Sequence, residues 1–414
     1  MIKHKEEFLK EEYRKSIASL LERSTRIPIP DYSPELKRYR SQSTLKSIDF
    51  FYDLLSNDPA PSEKPVVGYF CNLVPEEIIV ANGGIPQRIC SSDADCAGHG
   101  EELVSADICP IIKSICGAFR SGKHKELDLV IIPAACDGKI KLAEILGSFS
   151  EIYFLDLPRD GNYLNNSDIW TDKYRQFHQF LKKRYRQKTT RKDLLAACFA
   201  TNRRTDLFRK IYDFRGRNTG LINSFDYFVM AYASFLISPD AWTETAEKIY
   251  AEALNAAKNR LKPDVKKILL AGSPIIFPNF KIPEILAGSG CDLSAEILCS
   301  AYGKMYDPVV IDEETENGII RSLALKYIAA SMCPCLLSVN KILDRIIEVV
   351  REYGLDGVIY HTLRLCQTFE IQGNIIRQVL KENNIPSLFL KTDLGKEDTG
   401  QLKTRIEAFL EMLK

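Results

Sequence analysis

Short apolar runs of strand length recur along this chain and are separated by segments of helical pattern. VVGYF (66–70), PQRIC (86–90), DLVIIPAA (128–135) and EIYFLDLP (151–158) form one series. VKKILLAGSPI (265–275), CDLSAEILC (291–299), DGVIYHTL (356–363) and PSLFLKTD (386–393) form a second. The intervening segments carry helix signals. PEEIIVANGG (75–84) opens on Pro and two glutamates and stops at Gly; CPIIKSICGAF (109–119) has Pro in its first turn. Strands that alternate with helices predict parallel sheets covered on both faces. The fold class is therefore α/β, with two sheet-bearing units.

The stretch between the two series, from about 166 to 262, is mainly helical in pattern. Before the first series lies a helical, then loop-like segment that closes on the Pro-rich linker SNDPAPSEKP (56–65). The expected organisation is a helical N-terminal segment (1–60), a first α/β domain (61–190), a helical connecting region (191–262) and a second α/β domain (263–414). Thr399 is the expected cap of the closing helix.

Charge and hydropathy exclude some functions. Lys+Arg total 56 against 55 Asp+Glu, so no basic excess points to nucleic acid or to an anionic membrane surface. No apolar run approaches the roughly 18 residues of a membrane helix. The charged start MIKHKEEFLKEEYRK lacks the apolar centre of a secretory signal, so a soluble, cytoplasmic protein is expected. GSPIIFPNF lacks the Lys-Ser/Thr of a P-loop, so any use of ATP belongs to a partner.

Twelve cysteines stand in a chain expected to be reduced: 71, 90, 96, 109, 116, 136, 198, 291, 299, 333, 335 and 366. Cys71, Cys136, Cys299 and Cys366 fall at or just past the carboxyl ends of expected strands, where open parallel sheets bind ligands. Cys109 precedes Pro110 at a helix start. Helix N-termini favour thiolate, the metal-binding form. Cys333 and Cys335 flank Pro334 and are too close in sequence for an unstrained disulfide, but both can face one metal centre. Zinc suits four thiolates. Scattered cysteines gathered by the fold suit an iron–sulfur cluster at least as well. Cys90, Cys96, Cys116, Cys198 and Cys291 read as inert thiols.

The motifs around these cysteines resemble a known family. GYFCNLVPEEIIVANGGIPQR is similar to the first motif of the 2-hydroxyacyl-CoA dehydratase superfamily, ICPIIKS to its second cysteine motif and DGVIYHTLRLC to its third. TDLGKEDTGQLKTRIEAFLEML resembles its C-terminal signature, and the similarity runs from about residue 64 to the end. AACDGKIK (134–141), ILCSAYGK (297–304) and MCPCLLSVN (332–340) resemble motifs of the double-cubane cluster protein branch, which is related to the ATP-driven benzoyl-CoA reductases.

The resemblance implies two Rossmann-like domains with the cofactor in the cleft between them. That cofactor is an 8Fe–9S double cubane, two 4Fe–4S-type units joined by sulfide. It further implies a homodimer, anaerobic chemistry, an ATP-hydrolysing iron–sulfur activator as electron donor, and reduction of a small-molecule substrate. Carried over by position, Cys71, Cys109 and Cys366 match the ligands of the dehydratase-type cubane. Cys136, Cys299, Cys333 and Cys335 match the extra cysteines, one more than the double cubane needs. The alternatives are a dehydratase subunit with a single 4Fe–4S cluster, and a non-catalytic scaffold that binds zinc or a cluster. AACDGK, LCSAYGK and CQTF depart from the branch's usual neighbours but keep the cysteines.

No catalytic residue is assigned. Lys139 and Lys141 read as a solvated helix face or as cations beside an anionic group. His361 reads as a proton donor or a hydrogen-bonded core residue. Glu76 and Glu77 are explained by the helix dipole, Arg405 and Glu407 by attachment of the last helix to the sheet, and NRRTDLFRK (202–210) by solvation.

Overall fold

A computed structural model of the chain describes residue 15 and residues 31–57, 62–186, 188–258, 263–330, 332–337 and 339–413. Most of the expected helix in residues 1–30, and the tip of the Pro-rich linker, lie outside the described residues.

The first sheet contains β1 (Val66–Tyr69), β2 (Ile85–Arg88), β3 (Leu129–Pro133) and β4 (Ile152–Leu155), in the order β2-β1-β3-β4. The second contains β5 (Lys267–Gly272), β6 (Asp292–Leu298), β7 (Gly357–Leu363) and β8 (Ser387–Thr392), in the order β6-β5-β7-β8. All pairings are parallel, with Val67 opposite Leu129 and Leu269 opposite Val358. The two lobes share one topology and are Rossmann-like. The central strands β3 and β7 are buried along their whole length, which is why they read as unbroken apolar runs.

The strand order reverses between β1 and β3 in one lobe, and between β5 and β7 in the other. At such a switch point the two following loops part and leave a crevice. At the end of β5 only glycine fits. Gly272 has φ of +107°, and a Cβ there would lie 2.1 Å from the His361 carbonyl oxygen.

Chain order and packing diverge among the helices. The helical stretch holds α7 (Tyr163–Tyr185), α8 (Arg191–Arg217), α9 (Ser224–Ala233) and α10 (Pro239–Ala257), after α3 (Glu76–Ala81), α4 (Ala94–Gly100), α5 (Pro110–Arg120) and α6 (Asp137–Leu146) of the first lobe. The N-terminal helices α1 (Ser33–Arg40) and α2 (Asp49–Ser56) share the core of the second lobe. There Tyr39 stacks on Phe225 at 4.5 Å and Phe51 lies 6.3 Å from Trp242. Helix α11 is Lys281–Gly288 and the short α12 is Tyr302–Met305. Helix α13 (Glu316–Ala329) follows β6 in sequence but packs on α7 in the first lobe, with Tyr327 edge-on to Tyr174. The lobes are thus tied by exchanged helices.

Helices α14 (Val339–Tyr353), α15 (Gln367–Glu382) and α16 (Thr399–Met412) complete the second lobe. Thr399 is the first residue of α16 and Asp398 is the cap position; the Thr399 hydroxyl donates to the Lys396 carbonyl instead. Among the described residues no helix is long and apolar enough to cross a membrane.

Candidate functional site

Three of the candidate cysteines are N-cap residues. Cys109 caps α5, Cys136 caps α6 and Cys366 caps α15. The first-turn amides of these helices lie close by: the Ile112 N–H donates to the Cys109 carbonyl at 2.9 Å and the Lys139 N–H to the Cys136 carbonyl at 3.0 Å. Cys71 follows β1 in the left-handed region, at φ of +61°; Leu365, just before Cys366, has the same φ. Non-glycine residues are held there at a cost of about 1–3 kcal/mol each, and such positions cluster at functional sites. The Cys333 carbonyl accepts from the Leu336 amide at 3.0 Å, closing a turn with Pro334 in the second position, where its fixed φ suits it.

These loops come together. Cys109 and Cys366 are neighbours whose ionisations oppose each other: Cys366 is held below the usual thiol range, while Cys109 is pushed up. Cys136 neighbours Cys335, which neighbours Cys333. Cys71 lies within electrostatic reach of Cys299 and Cys335. The two lobes thus contribute thiols to one region, Cys71, Cys109 and Cys136 from the first and Cys299, Cys333, Cys335 and Cys366 from the second half of the chain.

Helix N-termini do not lower every thiol as the sequence suggests. Its hydrogen bond to Cys335, then burial, raises Cys136, and burial raises Cys299 to about 11. Desolvation and neighbouring thiols outweigh the partial charge of a helix end.

Two cations sit among the sulfurs. Lys139, half-buried on α6, lies beside Cys71; burial opposes its charge, but Cys71 and Cys136 raise it well above the usual lysine range. It also lies near Cys90 and Cys366. Arg88, at the end of β2 and only 3% exposed, donates to the Cys299 carbonyl at 2.8 Å and approaches the Cys299 sulfur at 3.9 Å. Among the described residues neither cation has a carboxylate partner. Sequence reading gave Arg88 no role although it closes the first cysteine motif, because nothing local marks a strand-end arginine as buried. Cys90, read as inert, lies in reach of Arg88 and Lys139, and its position just past β2 was the available signal.

The remaining candidates separate cleanly. Lys141 is exposed and pairs with Glu144, and Arg405 donates to the Phe389 carbonyl at 2.9 Å. His361 is buried between the Thr392 hydroxyl (2.6 Å) and the Ser273 carbonyl (3.3 Å), and burial pushes it down to about 4, so it is a neutral core residue. Cys116 and Cys198 are buried packing thiols.

Glu76, Glu77 and Arg204 correct the sequence reading. Glu76 is 2% exposed and paired with Arg204 and, at 3.0 Å, with Lys304. Glu77 accepts from Lys326 at 3.0 Å and Tyr327 at 2.9 Å. Burial opposes the Glu76 charge, but the two cations hold its carboxyl well below the usual range. These charges join α3, α8, α12 and α13, so they tie the lobes together instead of merely opposing a helix dipole.

Among the described residues no three Cys, His, Asp or Glu side chains converge on a single-ion site. An iron–sulfur cage asks for something else, since each thiolate meets a different iron and the sulfurs stand around a volume. Spread thiols with two cations that lack a carboxylate partner fit an anionic group of that kind.

Paired parallel-sheet lobes with cysteines at their strand ends define a two-lobed, Rossmann-like α/β protein. Residues 71–413 match the family 2-hydroxyglutaryl-CoA dehydratase, D-component, and the chain belongs to that family. It is 26% identical to YjiM of Escherichia coli (strain K12), a candidate dehydratase subunit, over 84% of this chain and 91% of the relative. It is 21% identical to the beta subunit of (R)-2-hydroxyglutaryl-CoA dehydratase of Acidaminococcus fermentans, over 84% and 93% of the two chains. It is 19% identical to the beta subunit of lactoyl-CoA dehydratase of Anaerotignum propionicum, over 86% and 93%.

Proposed function

We propose that this chain is an iron–sulfur reductase that carries a double-cubane cluster, receives low-potential electrons from an ATP-hydrolysing iron–sulfur activator and reduces a small molecule. The observation that carries the reading is the second set of thiols. Cys109 and Cys366 form one pair, Lys139 lies between that pair and Cys71, and the three cysteines would hold a single cubane. The Cys136–Cys335–Cys333 chain and Cys299 border the same region, linked to Cys71 through Lys139 and Arg88. One cubane leaves that second set without a task.

When bound, the cluster supplies one-electron reduction at low potential. The chain's own part is to hold its thiols deprotonated against iron and keep water away from them. A homodimer is part of the proposal. A second reading, a dehydratase subunit with one 4Fe–4S cluster and a different partner subunit, is favoured by the names of the relatives.

Iron and acid-labile sulfide, measured on protein purified without oxygen, decide between them. About eight irons per chain support the double cubane, and about four support the single cluster. Cys136→Ala should remove about half of the iron under the first reading. Full iron retention by that variant refutes the first reading.

A further inference from the structure

We propose that Arg88 is a positioning residue for the cysteine site, a fixed positive charge that locks the Cys299 loop to the first lobe and offsets the negative charge of the group the cysteines hold. The inference rests on the iron–sulfur reading and assigns a role to the last residue of the first cysteine motif, GYFCNLVPEEIIVANGGIPQR.

Arg88 ends β2, at the edge of the first sheet, yet its guanidinium crosses to the end of β6 in the other lobe. Its backbone amide donates to the Phe235 carbonyl at 2.9 Å, and the Phe235 ring lies 4.4 Å under the guanidinium. Strand and ring fix the side chain from two sides. Its Nε is buried without a hydrogen-bond partner, and the acidic groups within reach are thiols and one phenol, Cys90, Cys299, Tyr69 and Cys71, with no carboxylate among them.

A guanidinium has five N–H donors and stays charged, so burying one without a counter-ion is costly. The other buried arginine described above, Arg204, has its carboxylate in Glu76. Arg215, 3% exposed, donates to the Ile222 and Leu293 carbonyls. Arg88 donates to the Cys299 carbonyl and, unlike either, has a cysteine sulfur within 3.9 Å. Reduction adds negative charge to a cluster, and a fixed cation in a low-dielectric site stabilises the reduced form. Removing the charge must therefore make the midpoint potential more negative. A residue that only packed would leave the potential unchanged.

The test compares anaerobically purified wild type, Arg88→Met, Arg88→Gln and Arg88→Lys by iron and sulfide content, circular dichroism and EPR-monitored redox titration. The expected result is that the neutral variants load iron and have more negative midpoints, while Arg88→Lys returns toward wild type. A loaded neutral variant with the wild-type midpoint overturns the inference and leaves the iron–sulfur reading intact. If neither neutral variant loads iron, Arg88→Lys decides, since loading supports the charge role and failure to load overturns it. Wild type without iron removes the iron–sulfur reading itself, and this inference with it.

Discussion

Replacing Glu76 with Gln removes the carboxylate that two buried cations share and preserves the side chain's shape. Arg204 is 1% exposed and Lys304 6%, and the remaining buried anion, Glu77, is engaged by Lys326 and Tyr327. Breaking a buried pair from one side costs about 3–5 kcal/mol, because the surviving charge stays desolvated. Unfolding entropy near 60 °C is about 2.1 cal/mol/K per residue. Over 414 residues that amounts to about 0.9 kcal/mol/K if the chain melts as one unit. Glu76→Gln should then lower Tm by about 3–6 °C in thermal denaturation followed by circular dichroism. Glu144→Gln, which breaks the exposed Lys141 pair, is the control and should cost less than about 1 kcal/mol. Equal melting of Glu76→Gln and wild type would refute the claim that this network is a desolvated tie between the lobes.

Two further outcomes follow from the same packing. Glu296 is fully buried and accepts from the Tyr227 hydroxyl at 2.6 Å, yet burial outweighs its donors and raises it from 4.5 to about 7. The folded state then keeps a proton that the unfolded state releases, so this contribution to stability is present at low pH and is lost as pH rises between about 4.5 and 7. The Tm of Glu296→Gln relative to wild type should climb across that window, and a flat difference counts against the raised carboxyl. Phe51→Ala empties a fully buried site beside Trp242 and should cost about 3–5 kcal/mol in urea unfolding with m unchanged. A loss below about 1 kcal/mol would mean that α2 does not belong to the second lobe's core.

Much of the site could be read along the chain because it is built from local units. A buried strand is an unbroken apolar run, and the residue after it lies on the binding edge, so Cys71, Cys136, Cys299 and Cys366 could be placed by counting. Pro110 marks a helix start, which set Cys109 as its cap. The reading failed where a side chain's partner comes from a distant element. Glu76 and Glu77 look like ordinary first-turn glutamates, and Arg204 sits in a polar run beside exposed Arg203, yet both glutamates and Arg204 are buried.

The sequence by itself determined two parallel sheets, the sites of their strand-end cysteines and the membership of the dehydratase family. Those follow from periodicity and motif, which depend on neighbours within one turn or one strand. Only the tertiary structure decided that α1 and α2 serve the second lobe, that α13 serves the first, and that Arg88 faces sulfur while Arg204 faces a carboxylate. Burial and charge pairing are properties of the assembled lobes. An arginine shows no difference between these fates until the element opposite it is in place.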